Sequence, residues 1–363
     1  MLIKYHRPDY VLITIVTIFI VFGLIMLSSA SVIKAYKLTD DAYYFFKHQA
    51  LFGVLPGLIA LLFLYNIRYQ HLKKIALYLL IVGTFLLSIL FLPGMAFRHA
   101  GSNSWLNLGF FTIQPSEFMK LILIIYLAGW FESFSKNKNA VTVSSVMIVI
   151  SLIAGLILLQ PDIGALLVLM FIGLSIYFVA NGKLKYIFIG GFIVLILLST
   201  LIAIAPYRVN RLAVFWNPEL DPQGSGYQIN QALLAIGSGG TLGRGFGESR
   251  QKFQYLPEVI GDSIFAIIAE EFGFIISSAI VLLFLIFLYR GLLIADKAPD
   301  IFGKLLAIGI ISWIIFQAFL NIGGISNILP LTGITLPFIS YGGSSLLISL
   351  AAIGILLNIS RQT

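Results

Sequence analysis

Four stretches of this chain hold the residues able to do chemistry. The longest runs from Pro206 to Asp262 and reads PYRVNRLAVFWNPELDPQGSGYQINQALLAIGSGGTLGRGFGESRQKFQYLPEVIGD. It closes on Asp262, with Glu258 four residues before it and an apolar run after it. A carboxylate at a water–lipid boundary, partly desolvated, can have a raised pKa and act as a general base. The same residue at the same place can also do no more than cap a helix. Asp262, Ala266, Ala269 and Gly273 fall on one face at helical spacing, small enough for close packing or a cavity. Arg208, Arg211, Arg244, Arg250 and Lys252 put cations in this stretch. Such cations suit a pyrophosphate or carboxylate ligand, or else they snorkel to lipid headgroups.

The other three stretches are shorter. In QPSEFMK, Gln114 to Lys120, Pro115 suits the first turn of a helix. Glu117 and Lys120 are three residues apart, share a helix face and can pair. An ion pair at membrane depth is costly and turns to the bundle interior or a wet cavity, so this one is either a lock between spans or part of a site. In QPDIG, Gln160 to Gly164, Asp162 stands at the mouth of a tight helical hairpin and reads first as the N-cap of the span that follows. In PLTGITLPFISYGGSSLL, Pro330 to Leu347, dense Pro and Gly lead into Tyr341-Gly342-Gly343-Ser344-Ser345. Irregular backbone at membrane depth is tolerated where it is buried in protein or lines a cavity, which makes Ser340 and Tyr341 candidates for a site wall. The glycines of AIGSGGTLGRGFG have GxGxxG-like spacing, but no strand precedes them and no GK[ST] follows, so the nucleotide signal is weak. Glycine there lets the backbone turn sharply and approach a substrate or the membrane interface.

The elements that must carry these residues are membrane helices. The chain is 59% hydrophobic and 10% charged, with a mean hydropathy of +1.00. Soluble domains carry about 25% charged residues. The expected fold is an all-α integral membrane protein, one polytopic domain over 1–363. Ten spans are predicted near 9–31, 48–66, 75–93, 114–131, 141–160, 163–181, 186–206, 263–289, 302–328 and 339–359. A long loop, about 207–262, separates the seventh from the eighth. The first run, Val11 to Leu27, is longer than a signal-peptide core and reads as an uncleaved span. Lys4, Arg7, Arg68, Lys73, Lys74, Lys136, Lys138, Lys183, Lys185, Arg290, Lys297, Lys304 and Arg361 fall at one set of ends; only Lys34, Lys37, Lys47 and Arg98 fall in the opposite short loops. The positive-inside rule then puts both termini in the cytoplasm and the long loop outside.

Several classes are disfavoured. There is no cysteine, so disulfides, thiol nucleophiles and Cys-ligated metals are ruled out. The four histidines are scattered, without a metal-spaced pair. The net charge of +8 fits cytoplasmic loops facing anionic lipid, and no basic soluble domain exists to bind nucleic acid. No internal repeat matches the halves expected of an inverted-repeat transporter.

Taken together, the stretches resemble the SEDS family (shape, elongation, division and sporulation). The resemblance covers nearly the whole chain in order: SAS at 29–31, SWLNLGFFTIQPSEFMK, QPDIGA, PYRVNRLAVFWNPELDPQGSGYQ, AIGSGGTLGRGFG, QKFQYLPE and ITLPFISYGGSSLL. VFWNP, GSGYQ, GFGESRQKFQYLPE and GITLPFISYGGSSLL are more similar to the division branch, FtsW, than to the elongation branch, RodA; sporulation members lie close to the former. The resemblance implies a ten-span peptidoglycan glycosyltransferase of the bacterial cytoplasmic membrane, at the division septum, that polymerises lipid II. It implies that Asp262 is the essential exterior carboxylate. Glu117, Lys120 and Asp162 would line the cavity and position substrate, together with Arg208, Arg211, Arg244, Lys252, Ser340 and Tyr341. It also implies lipid II and undecaprenyl-pyrophosphate-linked glycan as ligands. A class B penicillin-binding protein is the implied transpeptidase partner, among other divisome or elongasome membrane proteins. Two departures stand out: Gly261-Asp262-Ser263 replaces the family's usual TDF, and Ser104 replaces the usual Arg before the exterior Trp, with Arg98 nearby.

On this reading the GlcNAc 4-hydroxyl of lipid II attacks C1 of the lipid-linked MurNAc, inverting it to a β-1,4 bond. Asp262 takes the hydroxyl proton. Basic residues of the outer loop, with room for a divalent cation (Mg or Mn), stabilise the leaving pyrophosphate. The rival from another class is a lipid-linked-sugar flippase, which would also use a polar intramembrane cavity with Glu117 and Lys120. An inactive divisome scaffold is the third reading, motivated by Gly261-Asp262-Ser263.

Overall fold

A computed structural model describes residues 6–363 except 100–101, 108, 110–111, 137–142, 181–184, 186–190, 192–212, 222, 254 and 363. The expected seventh span, 186–206, lies almost wholly outside the described residues, as do Arg208 and Arg211.

Each of the other nine expected spans coincides with a helix. They are α1 (Tyr10–Ala30), α4 (Leu55–Asn66), α5 (Gln70–Ile89), α6 (Pro115–Lys136), α7 (Val143–Leu159), α8 (Ile163–Val179), α10 (Ile264–Asp296), α11 (Ile301–Ile325) and α12 (Gly343–Ser360). The short helices α2 (Val32–Thr39) and α3 (Tyr44–Gln49) follow α1, and α3 runs into α4 through a π-turn at Ala50–Val54. Six segments are long and apolar enough to cross a membrane; α7 and α8 are shorter, and α6 has the length but carries Glu117, Lys120, Glu132 and Lys136. The described residues therefore make a multi-helix membrane bundle, though not a count of ten.

Two of the stretches between spans carry regular structure. A small antiparallel sheet is made by β1 (Ala96–His99), β2 (Ser102–Asn107) and β3 (Thr112–Ile113), in the order β1-β2-β3. The long stretch after the seventh span contains a 15-residue helix, α9 (Ser225–Gly239), packed on α10. Its buried face is small, with Ile229, Ala232 and Ala235 at most 1% exposed.

The core is built from α11, α12 and the first turns of α10, residues 264–271, which are apolar on nearly every side, as a helix surrounded by others must be; beyond Gly273, α10 turns Phe274, Leu282 and Leu285 outward. Outside it, α4 and α5 turn Leu62, Phe63, Leu77, Ile81 and Phe85 outward, where lipid would meet them. Close crossings rest on small residues. At Gly354 of α12, a Cβ would come within 2.5 Å of the Leu61 carbonyl of α4.

Helix α10 is broken. Gly273 has φ 73° and ψ −170°, a conformation open essentially to glycine alone. The expected continuous face through Asp262, Ala266, Ala269 and Gly273 therefore ends at Ala269. The reason is backbone pairing. The glycine-rich segment lies against the break: the amides of Arg244 and Gly245 donate to the carbonyls of Glu270 and Glu271, and those of Phe274 and Ile275 donate to Gly240 and Thr241. A broken membrane helix needs such partners for its freed polar groups. A side chain at Gly239, Gly243 or Gly273 would overlap backbone atoms across this junction. The glycines of AIGSGGTLGRGFG thus serve close backbone approach to a broken helix of the same chain, where a substrate or the membrane interface was the expected neighbour.

Candidate active site

Helices α6, α8, α10 and α12 all begin at the same end of the bundle, and the irregular segment 330–342 lies between their starts. The contacts are specific. The Gln114 amide donates to Ser344 Oγ (3.2 Å), joining the starts of α6 and α12. Gln114 Nε2 donates to Asp162 Oδ2 (3.4 Å), joining α6 to α8. A side chain at Gly164 would meet Ile334 and the Thr332 carbonyl. Ser340 Oγ donates to the carbonyl of Gly261 (2.7 Å), and the Tyr341 amide donates to that of Ile260 (2.8 Å).

Asp262 sits at this junction, just before α10. Its backbone carbonyl accepts from Asn321 Nδ2 (2.8 Å), which also donates to Ile334 (2.7 Å). Its carboxylate Oδ1 accepts from Gln228 Nε2 (3.3 Å) and Ser263 Oγ (3.3 Å). Asp262 is half-buried and is not the cap of α10, whose N-cap is Ser263.

The Glu117–Lys120 pair is deep in the same end, at 5% and 1% exposure. Lys120 Nζ lies 2.7 Å from Glu117 Oε1 and 2.8 Å from Gln317 Oε1, and stands over the Trp313 ring. Gln317 Nε2 donates onward to the Thr335 carbonyl (3.0 Å). Gln317 and Asn321 are four apart on α11, so one helix face links the ion pair to the segment that holds Asp262. Neither was singled out from the sequence. The available signal was two amides one turn apart inside an apolar helix, where polar groups are expensive.

Asp162 is the N-cap of α8, its Oδ1 accepting from the Ala165 amide (2.9 Å), as first read. Burial pushes its carboxyl above the usual range, opposed by the Ala165 amide and by the Lys120 charge. The cap and the ion pair thus share one electrostatic environment.

Three of the other expected ligand residues, Lys252, Ser340 and Tyr341, bond to groups within the protein. Lys252 is buried rather than outward: Nζ lies 3.0 Å from Glu271 Oε1 and accepts no exposed role, donating also to Ser29 Oγ (3.0 Å) and Gly247 O (2.5 Å). Glu270 does the same work beside it, accepting from Ser249 Oγ (2.5 Å) and the amides of Arg250 and Gln251. Two buried carboxylates in the interior of α10 needed donors, and the loop supplies them. Arg244 is partly exposed, its Nε 3.8 Å from Glu270 Oε1 and 3.4 Å from the Ser238 carbonyl. Arg250 keeps an exposed side chain. Ser340 is buried and braces Gly261, and Tyr341 Oη pairs with His48 Nδ1 (2.9 Å). Both hold the wall in place. Among the described residues no three carboxylates or histidines cluster closely enough to hold a metal ion.

Comparison with known proteins follows this geometry. The family described as "Cell cycle protein", FtsW/RodA/SpoVE, matches residues 9–363. The chain belongs to that family. It is 43% identical to stage V sporulation protein E of Bacillus subtilis, over 99% of both chains. It is 40% identical to a probable peptidoglycan glycosyltransferase FtsW of Trichlorobacter lovleyi, over 97% of this chain and 93% of that one. Its fold matches a chain of a peptidoglycan synthase complex (TM-score 0.79, 26% identity) and Thermus thermophilus RodA (TM-score 0.71, 26% identity), each over 98% of this chain and 97–98% of the other. Family membership agrees with the resemblance carried by the motifs.

Proposed function

We propose that this chain is a peptidoglycan glycosyltransferase that polymerises lipid II, with Asp262 as its general base. The observation that carries the reading is the setting of Asp262. Its carboxylate stands just before α10, beside Gln228, Ser263 and the Gly333 turn, while Asn321 and Ser340 fix the backbone on either side of the peptide that bears it. Relatives of FtsW type, named as glycosyltransferases, support the same activity.

In the reaction, the acceptor's 4-hydroxyl gives its proton to the Asp262 carboxylate as its oxygen attacks C1 of the lipid-linked sugar. The C1–O bond to pyrophosphate breaks on the opposite face, the leaving group takes the bonding pair, and the α-linkage becomes β. Helix N-termini favour anions, and Arg244 and Arg250 add exterior cations, with Arg208 and Arg211 in the same stretch. Glu117, Lys120 and Asp162 set the charge of the inner wall and orient the donor. Lys252, Ser340 and Tyr341 act through the walls they hold.

The partner in this reading is a class B penicillin-binding protein, by analogy with the neighbour from a complex that coordinates polymerization and crosslinking. The place of action is the cytoplasmic membrane at a division or sporulation septum, by analogy with the FtsW and stage V sporulation relatives.

The test is Asp262→Asn, assayed on labelled lipid II with purified protein, alone and with the transpeptidase. Asparagine keeps the size and capping ability while losing the base. The expected result is folded protein that makes no glycan strands. Long strands from this variant would end the assignment.

A further inference from the structure

We propose that Gln228 is a positioning residue for Asp262, setting, together with Ser263, the orientation in which the carboxylate takes the acceptor's proton. The proposal rests on the reading of Asp262 as the base.

Three observations carry it. First, Gln228 Nε2 reaches both partners, 3.3 Å from Asp262 Oδ1 and 3.0 Å from Ser263 Oγ, while Ser263 Oγ lies 3.3 Å from the same Oδ1. The amide donates to both oxygens and the hydroxyl donates its own hydrogen bond to the carboxylate, a closed three-way arrangement that the two N–H bonds of the Gln228 amide satisfy. Second, Ser263 gives up its ordinary task. Serine is a strong N-cap residue, and Ser263 stands at the N-cap of α10, yet it makes no side-chain capping bond and is fully buried. Its hydroxyl is committed to the carboxylate and to Gln228. The unusual Ser after Asp262 is thereby accounted for, with Gln228 as its partner.

Third, the backbone around Asp262 is already fixed from the other side. Ser340 holds the Gly261 carbonyl and Asn321 holds that of Asp262. The freedom left is the rotation of the Asp262 side chain, and the Gln228–Ser263 pair acts on it. Gln228 can do so because α9 is held to α10 by a buried face of Ile229, Ala232 and Ala235, and its first turn is tied by the Gln228 amide to Gly224 (3.2 Å).

A hydrogen bond to an ionised carboxylate favours the ionised form. Losing it moves the acid limb of the pH–rate profile upward. Among the described residues, charged groups near the junction include Glu258, paired at 3.9 Å with Lys34, and on the far side Lys120, Glu117 and Asp162. All are present in every variant below.

The experiment compares Gln228→Ala, Gln228→Glu, Ser263→Ala and Asp262→Asn with the parent chain. Rates of lipid II polymerisation are measured against pH, with kcat and KM separated and folding checked by thermal unfolding in detergent. Gln228→Ala should lower kcat about tenfold with KM within about twofold, and raise the acid limb by about one pH unit. Gln228→Glu, which sets a second carboxylate beside the first, should raise it further; Ser263→Ala should raise it less. A second measurement needs no turnover. Carbodiimide modifies protonated carboxyl groups, so the pH midpoint of Asp262 labelling, read by mass spectrometry, should rise in Gln228→Ala. An unmoved acid limb and labelling midpoint would overturn the proposal, as would a raised KM at unchanged kcat, which would make Gln228 a substrate contact. If Asp262→Asn stays active while the labelling midpoint still moves, the base assignment fails and the contact stands.

Discussion

Removing the charge of Lys120 should unfold this protein more readily than any surface change, and the structure sets the size of the effect. Lys120→Met keeps an unbranched side chain one atom shorter and takes away its charge. Glu117 is 5% exposed, and its Oε2 already has no hydrogen-bond partner. Its Oε1 would lose the 2.7 Å contact to Nζ. An uncompensated buried carboxylate costs about 3–5 kcal/mol. Glu117→Gln should cost less, because Lys120 keeps Gln317 Oε1 at 2.8 Å and the face of Trp313. The double change Glu117→Met with Lys120→Met leaves no buried charge, and Gln317 Oε1 still accepts from Trp313 Nε1 (2.8 Å). Its stability should return to within about 1–2 kcal/mol of the parent, since replacing a whole buried pair is often neutral. The assay is equilibrium unfolding of the four proteins in one detergent, closed as a double-mutant cycle, with lipid II polymerisation run alongside. The stable double variant should remain inactive, because the pair also sets the charge of the inner wall. Single variants within about 1 kcal/mol of the parent would refute the low-dielectric argument. Full activity in the double variant would reduce the pair to a structural lock.

Two further predictions concern the broken helix and the sidedness of the site. Gly273→Ala should cost at least about 1–3 kcal/mol from its backbone conformation alone. It should also expose the segment 240–252 to protease, because the added Cβ would push that segment off the break; a variant as stable and protease-resistant as the parent would count against the paired junction. Because the chain has no cysteine, Gln223→Cys and Lys74→Cys give single reporters at exposed positions. An impermeant thiol reagent added to intact cells should label position 223 and not position 74, and the reverse pattern would invert the topology.

The resemblance and the helix pattern were legible because they depend on local composition. Uninterrupted apolar runs have few folding options in a bilayer, so nine expected spans each coincide with a helix, although α4 begins seven residues late and α10 ends seven residues late. Asp162 was read as a cap because capping is a relation between neighbours in the chain, and it is one. Lys252 was misread because a lysine in a polar stretch gives no sign of a partner 19 residues away, and Glu271 is that partner. Gln317, Asn321 and Gln228 were passed over because their partners lie in other elements; the Gln228–Asp262 contact spans 34 residues.

What the sequence determined by itself was therefore the class of fold and the family, both carried by composition, period and short motifs. What only the tertiary structure decided was which polar groups meet. Buried donors and acceptors must find partners, and in this bundle the partner is usually on another helix. The helix that ends at Gly273, the loop that repairs it and the amides that hold Asp262 follow from that requirement, which acts in three dimensions and leaves no fixed spacing along the chain.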